Sequence, residues 1–299
     1  YVSVLSGVTI ERAEGFTGTM ITVSGAAAEL TLSGATIDGK KADNTAGQLV
    51  NVTGGATLNI EDGAKLINNN DTAVQVRANS ILNMNGGEIS GNNASSANAM
   101  GGALLNYGTA NLNGGEIKDN SASWGGGIMA FGGSKTVIDG ASVSGNTATA
   151  YGGGGIYLYG DGGALTFEMK SGSINGNTAI NGSGAGIYAF QRTSDVMLRI
   201  SGGAIKDNAS NPESSGSAIL LYSEDADGVP RLELSGSPEI SGDVFFMDDF
   251  TIDYTIYVTD EFDPVNQIMI YRSNNKVGIP AVNYAEGLTP SLDDFAPMG

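Results

Sequence analysis

The sequence contains no cysteine and no histidine among its 299 residues. Without cysteine the chain can form no disulfide and has no thiol nucleophile. Without histidine it lacks the usual general base near neutral pH, so Ser-His-Asp catalysis is excluded. Zinc sites built from imidazole or thiolate ligands are excluded for the same reason.

Basic residues are also scarce, with 14 Lys+Arg against 32 Asp+Glu and a formal net charge of −18. Binding to a phosphate backbone needs clusters of Lys and Arg, so we expect no nucleic-acid partner. An anionic membrane surface is disfavoured by the same charge balance. No stretch approaches the roughly 20 apolar residues of a membrane helix, so we expect no membrane insertion within this segment.

Glycine is abundant, with 46 residues against 7 prolines. Because glycine destabilises helix interiors, a helical bundle is disfavoured. Hydrophobic residues make up 40% of the chain, which is too many for a disordered protein, and the glycines do not recur at every third position as in collagen. The chain begins at Tyr1 without an initiator methionine, which suggests a segment of something longer.

One repeat runs through most of the chain. Its clearest copies are GGEISGNN (86–93), GGEIKDNS (114–121), GASVSGNT (140–147), SGSINGNT (171–178) and GGAIKDNA (202–209). The repeat places one apolar residue in a column, namely Ile37, Leu66, Ile89, Ile117, Val143, Ile174, Ile205 and Ile240. Three positions later an asparagine column follows, namely Asn69, Asn92, Asn120, Asn146, Asn177 and Asn208, with Lys40 and Asp243 at the two ends.

Each repeat carries two further short apolar stretches with period-two alternation, such as GIYLYG (155–160) and LTFEMKSG (165–172). Three short strands in every 23 to 35 residues or so predict an all-β, right-handed parallel β-helix of about eight coils. A β-propeller, the main alternative, has longer repeats and four strands per blade. We expect the asparagines to form a structural ladder of side-chain amides.

The repeat divides the chain into three predicted segments. Residues 1–18 lack it and are predicted to form an N-terminal cap, residues 19–243 the parallel β-helix, and residues 244–299 an acidic, β-rich C-terminal cap or small subdomain. The last segment contains longer apolar stretches that suggest antiparallel strands. Caps are expected because the open edges of a β-helix would otherwise recruit other chains.

The recurrent GGAI or GGEI followed by I-x-x-N resembles the right-handed β-helix repeats of adhesin-like bacterial cell-surface proteins. It is also similar to the GGA[ILV] and FxxN repeats of chlamydial polymorphic outer-membrane proteins, with Ile or Val in place of Phe. The resemblance covers roughly residues 19–243. It implies an extracellular scaffold, on a bacterial cell surface or secreted, and it implies no particular ligand.

The strand typified by GIYLYG has apolar residues on both of its faces. Alternation directs two columns outward, one of Leu105, Met129, Tyr157, Tyr188 and Leu220, and one of Tyr107, Phe131, Tyr159, Phe190 and Tyr222. An apolar strip of this kind marks a binding site or a covered contact. Three interpretations stay open: the rings only stabilise the stack, a loop or cap covers them, or they bind a ligand.

The candidate ligand-binding residues are the aromatic side chains of this strip with one tryptophan that precedes it: Tyr107, Trp124, Phe131, Tyr157, Tyr159, Tyr188, Phe190 and Tyr222. The expected partner is a glycan or a surface protein. The chain is thus predicted to be an adhesin-like binding or display scaffold. The alternatives are a polysaccharide-active lyase or hydrolase and a passive surface stalk.

No catalytic residue is assigned. Glu88 and Glu116 on successive coils have a spacing that suits glycoside hydrolysis, but the nearby Lys118 suggests solvated ion pairs instead. Arg199 is expected between Glu168 and Glu233 of neighbouring coils, as a cross-strand ion pair.

No cofactor is expected either. Asp225 and Asp227 lie in one acidic loop, the single place where hard oxygen ligands suggest Ca²⁺, although the spacing of an EF-hand is absent.

Overall fold

The computed structural model describes residues 1–41, 47–211, 216–224, 228–247, 255–272, 281–285 and 295–297. Over these residues the chain is a right-handed parallel β-helix of about nine turns without helices. The predicted fold class is therefore confirmed, with about nine turns in place of eight. The described residues contain no helix that is long and apolar enough to cross a membrane.

Each full turn contributes one strand to each of three faces, and the strands are numbered β1 to β33 along the chain. Face 1 is an 11-stranded parallel sheet. Its strands are β3 (Ile21–Ser24), β6 (Val50–Thr53), β9 (Val74–Val76), β12 (Leu104–Asn106), β16 (Ile128–Phe131), β19 (Ile156–Gly160), β22 (Ile187–Gln191), β26 (Ile219–Ser223), β29 (Asp243–Met247), β31 (Ile268–Arg272) and β33 (Phe295–Pro297).

Faces 2 and 3 belong to one 18-stranded sheet, because two long strands, β17 and β20, turn the corner between them. Face 2 contains β1 (Val2–Ser6), β4 (Glu29–Ser33), β7 (Thr57–Ile60), β10 (Ile81–Met84), β13 (Thr109–Leu112), β17 (Lys135–Ser144), β20 (Leu165–Asn175), β23 (Val196–Ile200), β27 (Arg231–Gly236), β30 (Thr255–Phe262) and β32 (Ala281–Tyr284).

Face 3 is completed by the second halves of β17 and β20. Its other strands are β2 (Thr9–Glu11), β5 (Thr36–Asp38), β8 (Lys65–Ile67), β11 (Glu88–Ser90), β14 (Glu116–Lys118), β24 (Ala204–Lys206) and β28 (Glu239–Ile240). A short fourth ladder lies between faces 3 and 1 and consists of β15 (Ser121–Trp124), β18 (Thr147–Gly152), β21 (Thr178–Ala179) and β25 (Ala209–Ser210).

The core lies inside the coil and is built from the inward half of every strand. The predicted apolar column of face 3 is buried throughout, with exposed fractions of 0 to 1% from Ile37 to Ile240. Parallel register stacks each member on the next, for example Ile89 on Ile117 and Ile174 on Ile205. One turn alone cannot bury such a face, so the stack as a whole supplies the hydrophobic stabilisation.

The asparagine column forms the predicted ladder, in which each amide oxygen from Asn92 to Asn208 accepts a hydrogen bond from the preceding asparagine. The Oδ1 atom of Asn120 accepts from both the backbone N–H and the Nδ2 of Asn92, at 3.1 and 2.9 Å. The Nδ2 atom of Asn120 donates to the Ile89 carbonyl and to Asn146 Oδ1, each at 3.0 Å. The same pattern recurs through Asn177 to Asn208. Buried polar groups are thereby satisfied turn by turn.

Arg12 ends this ladder on its N-terminal side. Its guanidinium is buried and donates to the carbonyls of Gly18 and Gly47 and to Asn69 Oδ1, at 2.6, 2.7 and 3.1 Å. The sequence had placed Lys40 at the end of the column, which is wrong. Lys40 is exposed and pairs with Glu11 on the surface, at 2.7 Å.

The described C-terminal strands continue the parallel stack. Strand β29 pairs in parallel with β26, and β31 and β33 follow on the same face. On face 2, β30 and β32 do the same. The predicted antiparallel pairing of these residues is therefore wrong: their longer apolar stretches keep the period-two alternation, which suits further turns of the coil. At the other end β1 and β2 already pair in parallel with β4 and β5. The division into caps at residues 18 and 243 stays a prediction.

Candidate functional site: an aromatic wall on face 1

The outward side chains of face 1 form two columns over the later turns. The register places Met129 opposite Tyr157, Tyr157 opposite Tyr188, and Tyr188 opposite Leu220. In the neighbouring column Tyr159 lies opposite Phe131 and Phe190. We call the first column the inner column; it consists of Leu105, Met129, Tyr157, Tyr188 and Leu220. The second is the outer column, and it consists of Tyr107, Phe131, Tyr159, Phe190 and Tyr222. The two columns together with Trp124 form the aromatic wall. All eight candidate ligand-binding residues belong to it.

The wall is an apolar cluster separate from the core of the coil. Its buried members are Leu105, Met129, Tyr157, Phe190 and Leu220. The partly exposed side chains packed against them are Met100, Tyr107, Trp124, Phe131, Tyr159, Tyr188 and Tyr222. The middle of the wall is therefore covered by the wall's own flanks, while the flanks reach the surface.

Tyr157 marks the covered middle and is only 1% exposed. Trp124 packs edge-on against it at 5.3 Å between ring centroids. Tyr151, itself 45% exposed, stacks on the outer side of Trp124 at 3.8 Å. Burial raises the pKa of the Tyr157 hydroxyl, and it also raises that of Tyr107. Both phenols therefore stay neutral and act through packing and hydrogen bonds.

The rings of the outer column lean on one another along the axis of the coil. Tyr107 stacks on Phe131 at 4.6 Å with 14° between planes, and Phe190 on Tyr222 at 5.3 Å with 9°. Between these pairs Tyr159 meets Phe131 edge to face. Such contacts occupy ring faces, so the wall exposes mainly ring edges and hydroxyl groups.

A charged rim borders the wall on the side of the loops that follow face 1. Arg192 Nη1 donates to the Tyr159 hydroxyl and to Asp161 Oδ2, both at 3.1 Å. Its Nε lies 4.0 Å from Glu224. The hydrogen bond with Tyr159 and the charge of Asp161 raise the pKa of Arg192. The rim thus supplies donors and acceptors beside an apolar surface.

Glycines before each strand let the backbone pass close to the wall. Gly153 and Gly184 have φ values of +66° and +61°, and a Cβ on either would lie 2.8 Å from the Cβ of Tyr157 or Tyr188 respectively. Only glycine fits a turn with this φ and this approach. The GG and SG pairs that precede the strands therefore help to bury the inner column.

The other residues singled out in the sequence have local partners or lie outside the described residues. Glu88 and Glu116 are in register, and both pair with Lys118. Asp225 and Asp227 fall outside the described residues, and within those residues no group of three acidic side chains is arranged to hold a metal ion. The calcium prediction stays untested.

The inner column extends further than the sequence analysis placed it. Phe245 lies opposite Leu220, and Tyr271 lies opposite Phe245 with the two rings stacked at 5.1 Å. These residues were missed because the segment after residue 243 was assigned to a separate cap. The similarity of VFFM (244–247) to ILLY (219–222) in the sequence indicates that residues 244–247 form another strand of face 1.

Comparison with known proteins agrees with this architecture. The profile of the family described as "Right handed beta helix region" matches residues 19–227. The chain belongs to this right-handed β-helix family. Searches of curated proteins and of solved structures gave no match.

Proposed function

We propose that this chain is an extracellular, adhesin-like binding scaffold and that the aromatic wall contacts its ligand, a glycan or a protein of a cell surface. The proposal rests on the location of the wall. It is a second apolar cluster on the outside of a coil whose core is already complete. Apolar surface beyond what a fold needs is typical of interaction sites.

The first turns of the same face supply the supporting observation. Thr22, Asn51 and Gln75 occupy the inner-column positions of those turns, in the same register as Leu105 and Met129. Polar side chains at these positions leave the parallel pairing intact. Aromatic residues are therefore not needed for stacking, which favours a role for them in recognition.

The exposed edges of the wall indicate the form of the contact. Because neighbouring rings cover much of one another's faces, a single sugar ring cannot be held between two aromatic faces at the stacked pairs. A ligand with a broader surface fits better. Such a ligand would contact the ring edges, while the Tyr159 hydroxyl, Arg192 and Asp161 would form hydrogen bonds with the ligand's polar groups. Aromatic and arginine side chains are the residue types that anchor interfaces most often.

The test replaces two partly exposed rings by Thr and Ser, residue types that the polar first turns of face 1 carry. In the double variant Tyr159→Thr and Tyr222→Ser, we expect binding to a glycan array or to immobilised extracellular-matrix proteins to fall at least about tenfold. Tyr1→Ala is the matched control, since it removes a fully exposed ring far from the wall. Circular dichroism and urea unfolding would show that both proteins keep the fold.

A ligand that the wild-type chain binds and the double variant binds equally well would overturn the proposal. The absence of any ligand on both panels would favour a passive stalk. New reducing ends or unsaturated products from an array glycan would favour the polysaccharide-active alternative.

A further inference from the structure

The corner between faces 3 and 1 carries no charged residue over four successive turns. In a chain with 14 basic and 32 acidic residues, the stretches without Asp, Glu, Lys or Arg are residues 89–115, 120–134, 140–160 and 171–191. Each stretch runs from the asparagine ladder to a strand of face 1. We call the outer surface of residues 93–103, 121–127, 147–155 and 178–186 the uncharged corner.

Two large apolar side chains are exposed on this corner. Tyr151 is 45% exposed and Ile180 is 43% exposed. The other large hydrophobic side chains that are comparably exposed in the described residues lie towards the two ends of the coil, namely Tyr1, Val2, Val4, Val8, Phe16 and Val265. Over the middle turns of the described structure, large apolar side chains therefore meet the solvent mainly at this corner.

The two exposed side chains lie in neighbouring turns. The backbone N–H of Ile180 donates to the Ala148 carbonyl at 2.9 Å. Gly182 packs against the backbone of Tyr151, and a Cβ on Gly182 would lie 2.4 Å from the Tyr151 carbonyl carbon. Tyr151 also stacks on Trp124 of the preceding turn, with 3.8 Å between ring centroids and 17° between planes. The corner thus presents apolar side chains from three successive turns.

Small neutral side chains accompany this apolar pair. Ser95, Ser96, Thr149 and Asn181 are exposed on the same corner. Such groups can exchange hydrogen bonds across a contact without the desolvation cost of a charge. Aromatic residues with few charges around them are typical of the centre of a protein–protein interface.

The charge of the chain indicates which protein fits this surface. Two copies of the chain, at −18 each, repel one another wherever their acidic surfaces approach. At the uncharged corner they can meet with the least repulsion. A basic partner would instead gain affinity from carboxylates, which the sequence of this corner lacks. One patch is also enough for both copies when they are related by a two-fold axis.

We propose that the uncharged corner joins two copies of this chain around a two-fold axis, with Tyr151 and Ile180 of one copy packed against the same pair of the other. This contact goes beyond the proposed function and does not depend on what the aromatic wall binds. The wall and the contact share one residue, Trp124, and the assembly would carry two walls.

Sedimentation equilibrium of the full chain tests the proposal. Between about 1 and 100 μM we expect the mass to rise from 30.4 kDa towards twice that value. The double variant Tyr151→Ser and Ile180→Thr should weaken dimerisation at least about tenfold, because it removes the apolar centre of the contact. The matched control, Val2→Ser with Val4→Thr, removes two exposed apolar side chains from the N-terminal end and should leave the dimer unchanged.

Thr149→Glu is a second variant, which changes one exposed residue and leaves the apolar pair in place. It puts a carboxylate of each copy into the contact, so it should also weaken the dimer at least about tenfold. Raising NaCl from about 0.05 to 0.5 M should strengthen the wild-type dimer, since salt screens the repulsion between the two acidic copies.

Trp124 is the single tryptophan of the sequence, so its fluorescence reports on this corner. Dimerisation should protect it from quenching by acrylamide as the protein concentration rises. A monomer at every concentration would overturn the proposal and leave the corner to a different protein. A dimer that persists in both corner variants, or that only the Val2 and Val4 variant loses, would overturn it as well. The Tyr159→Thr and Tyr222→Ser variant should dimerise as the wild type does, which separates this test from that of the wall.

Discussion

Face 1 has one inner surface and two different outer surfaces. In the first turns, the outward-facing positions in register with the inner column carry polar residues, namely Thr22, Asn51 and Gln75. In later turns the same positions carry aromatic or aliphatic residues, with Tyr157 and Tyr188 at the centre. Inward residues are mostly aliphatic in both regions, with Asn106 and Phe246 as the exceptions in later turns. The pairing of the strands is parallel and in register throughout.

This difference distinguishes the residues that the coil needs for stacking from the outward residues that it does not need. Inward packing and the asparagine ladder recur along the coil, so they account for stacking. Outward positions vary without disturbing the register, even where Asn51 Oδ1 is buried and lacks a hydrogen-bond partner in the described structure. The outer surface of such a solenoid is therefore the part that is free to acquire a function.

The largest expected effect comes from breaking the shared interior. Asn120→Ala removes the acceptor for two donors of Asn92 and the donor to the Ile89 carbonyl, all buried. We expect the free energy of unfolding in urea to fall by about 3 to 5 kcal/mol. The control is Asn111→Ala, which removes an amide from a half-buried outer ladder and should cost about 1 kcal/mol or less. Equal losses would show that the inner ladder has no special role.

A smaller effect is expected from the outer surface itself. Tyr157→Ala leaves a cavity between Trp124 and Tyr188, and we expect a loss of about 3 kcal/mol in urea unfolding. Asn51→Ala, at the same register position in a polar turn, should change stability by no more than about 0.5 kcal/mol. If Tyr157→Ala were as mild as Asn51→Ala, the covered middle of the wall would contribute nothing to stability.

The smallest effect concerns Asp71, which follows Asn69 at the N-terminal end of the asparagine ladder and whose carbonyl accepts from the Asn69 amide. Burial raises the pKa of its carboxyl above the ordinary 3.8, outweighing the Thr72 N–H bond and the charge of Arg12. The folded state therefore holds this proton more tightly than the unfolded state, and stability falls as the pH rises from about 3.8 through the raised pKa. Asp71→Asn should abolish that fall and make the protein slightly more stable at pH 7.

Thermal melts between pH 3 and pH 7 would measure this difference, with Asp62→Asn as an exposed control. A variant whose melting temperature follows the wild type at every pH would contradict the assignment.

Features that recur in the sequence were predictable, and those that occur once were not. The apolar column, the asparagine ladder and the two outward columns repeat at one position per turn, so their alignment alone fixes their register. Arg12 occurs once, outside the repeat, and its contact with Asn69 joins residues 57 apart. Such a contact depends on how the chain enters the coil, which no local pattern specifies.

Burial within the wall was unpredictable for a related reason. Alternation directs Tyr157 outward, yet the turn before its strand carries Gly153, and Trp124 of the preceding turn leans over its ring. Alternation tells which side of a strand a residue is on, and not what the next loop places above it.

The direction of the hydrogen bonds in the coil has a mechanical consequence. Both the strand ladders and the asparagine amides bond along the long axis, each turn to the next. A pull between the two ends of the chain would load one turn at a time, because each turn is held mainly by its neighbours. From Asn146 to Asn177 one turn contains 31 residues, which extend to roughly 100 Å at about 3.3 Å each. Under tension the coil would therefore lengthen in steps, one turn after another, and act as an extensible tether.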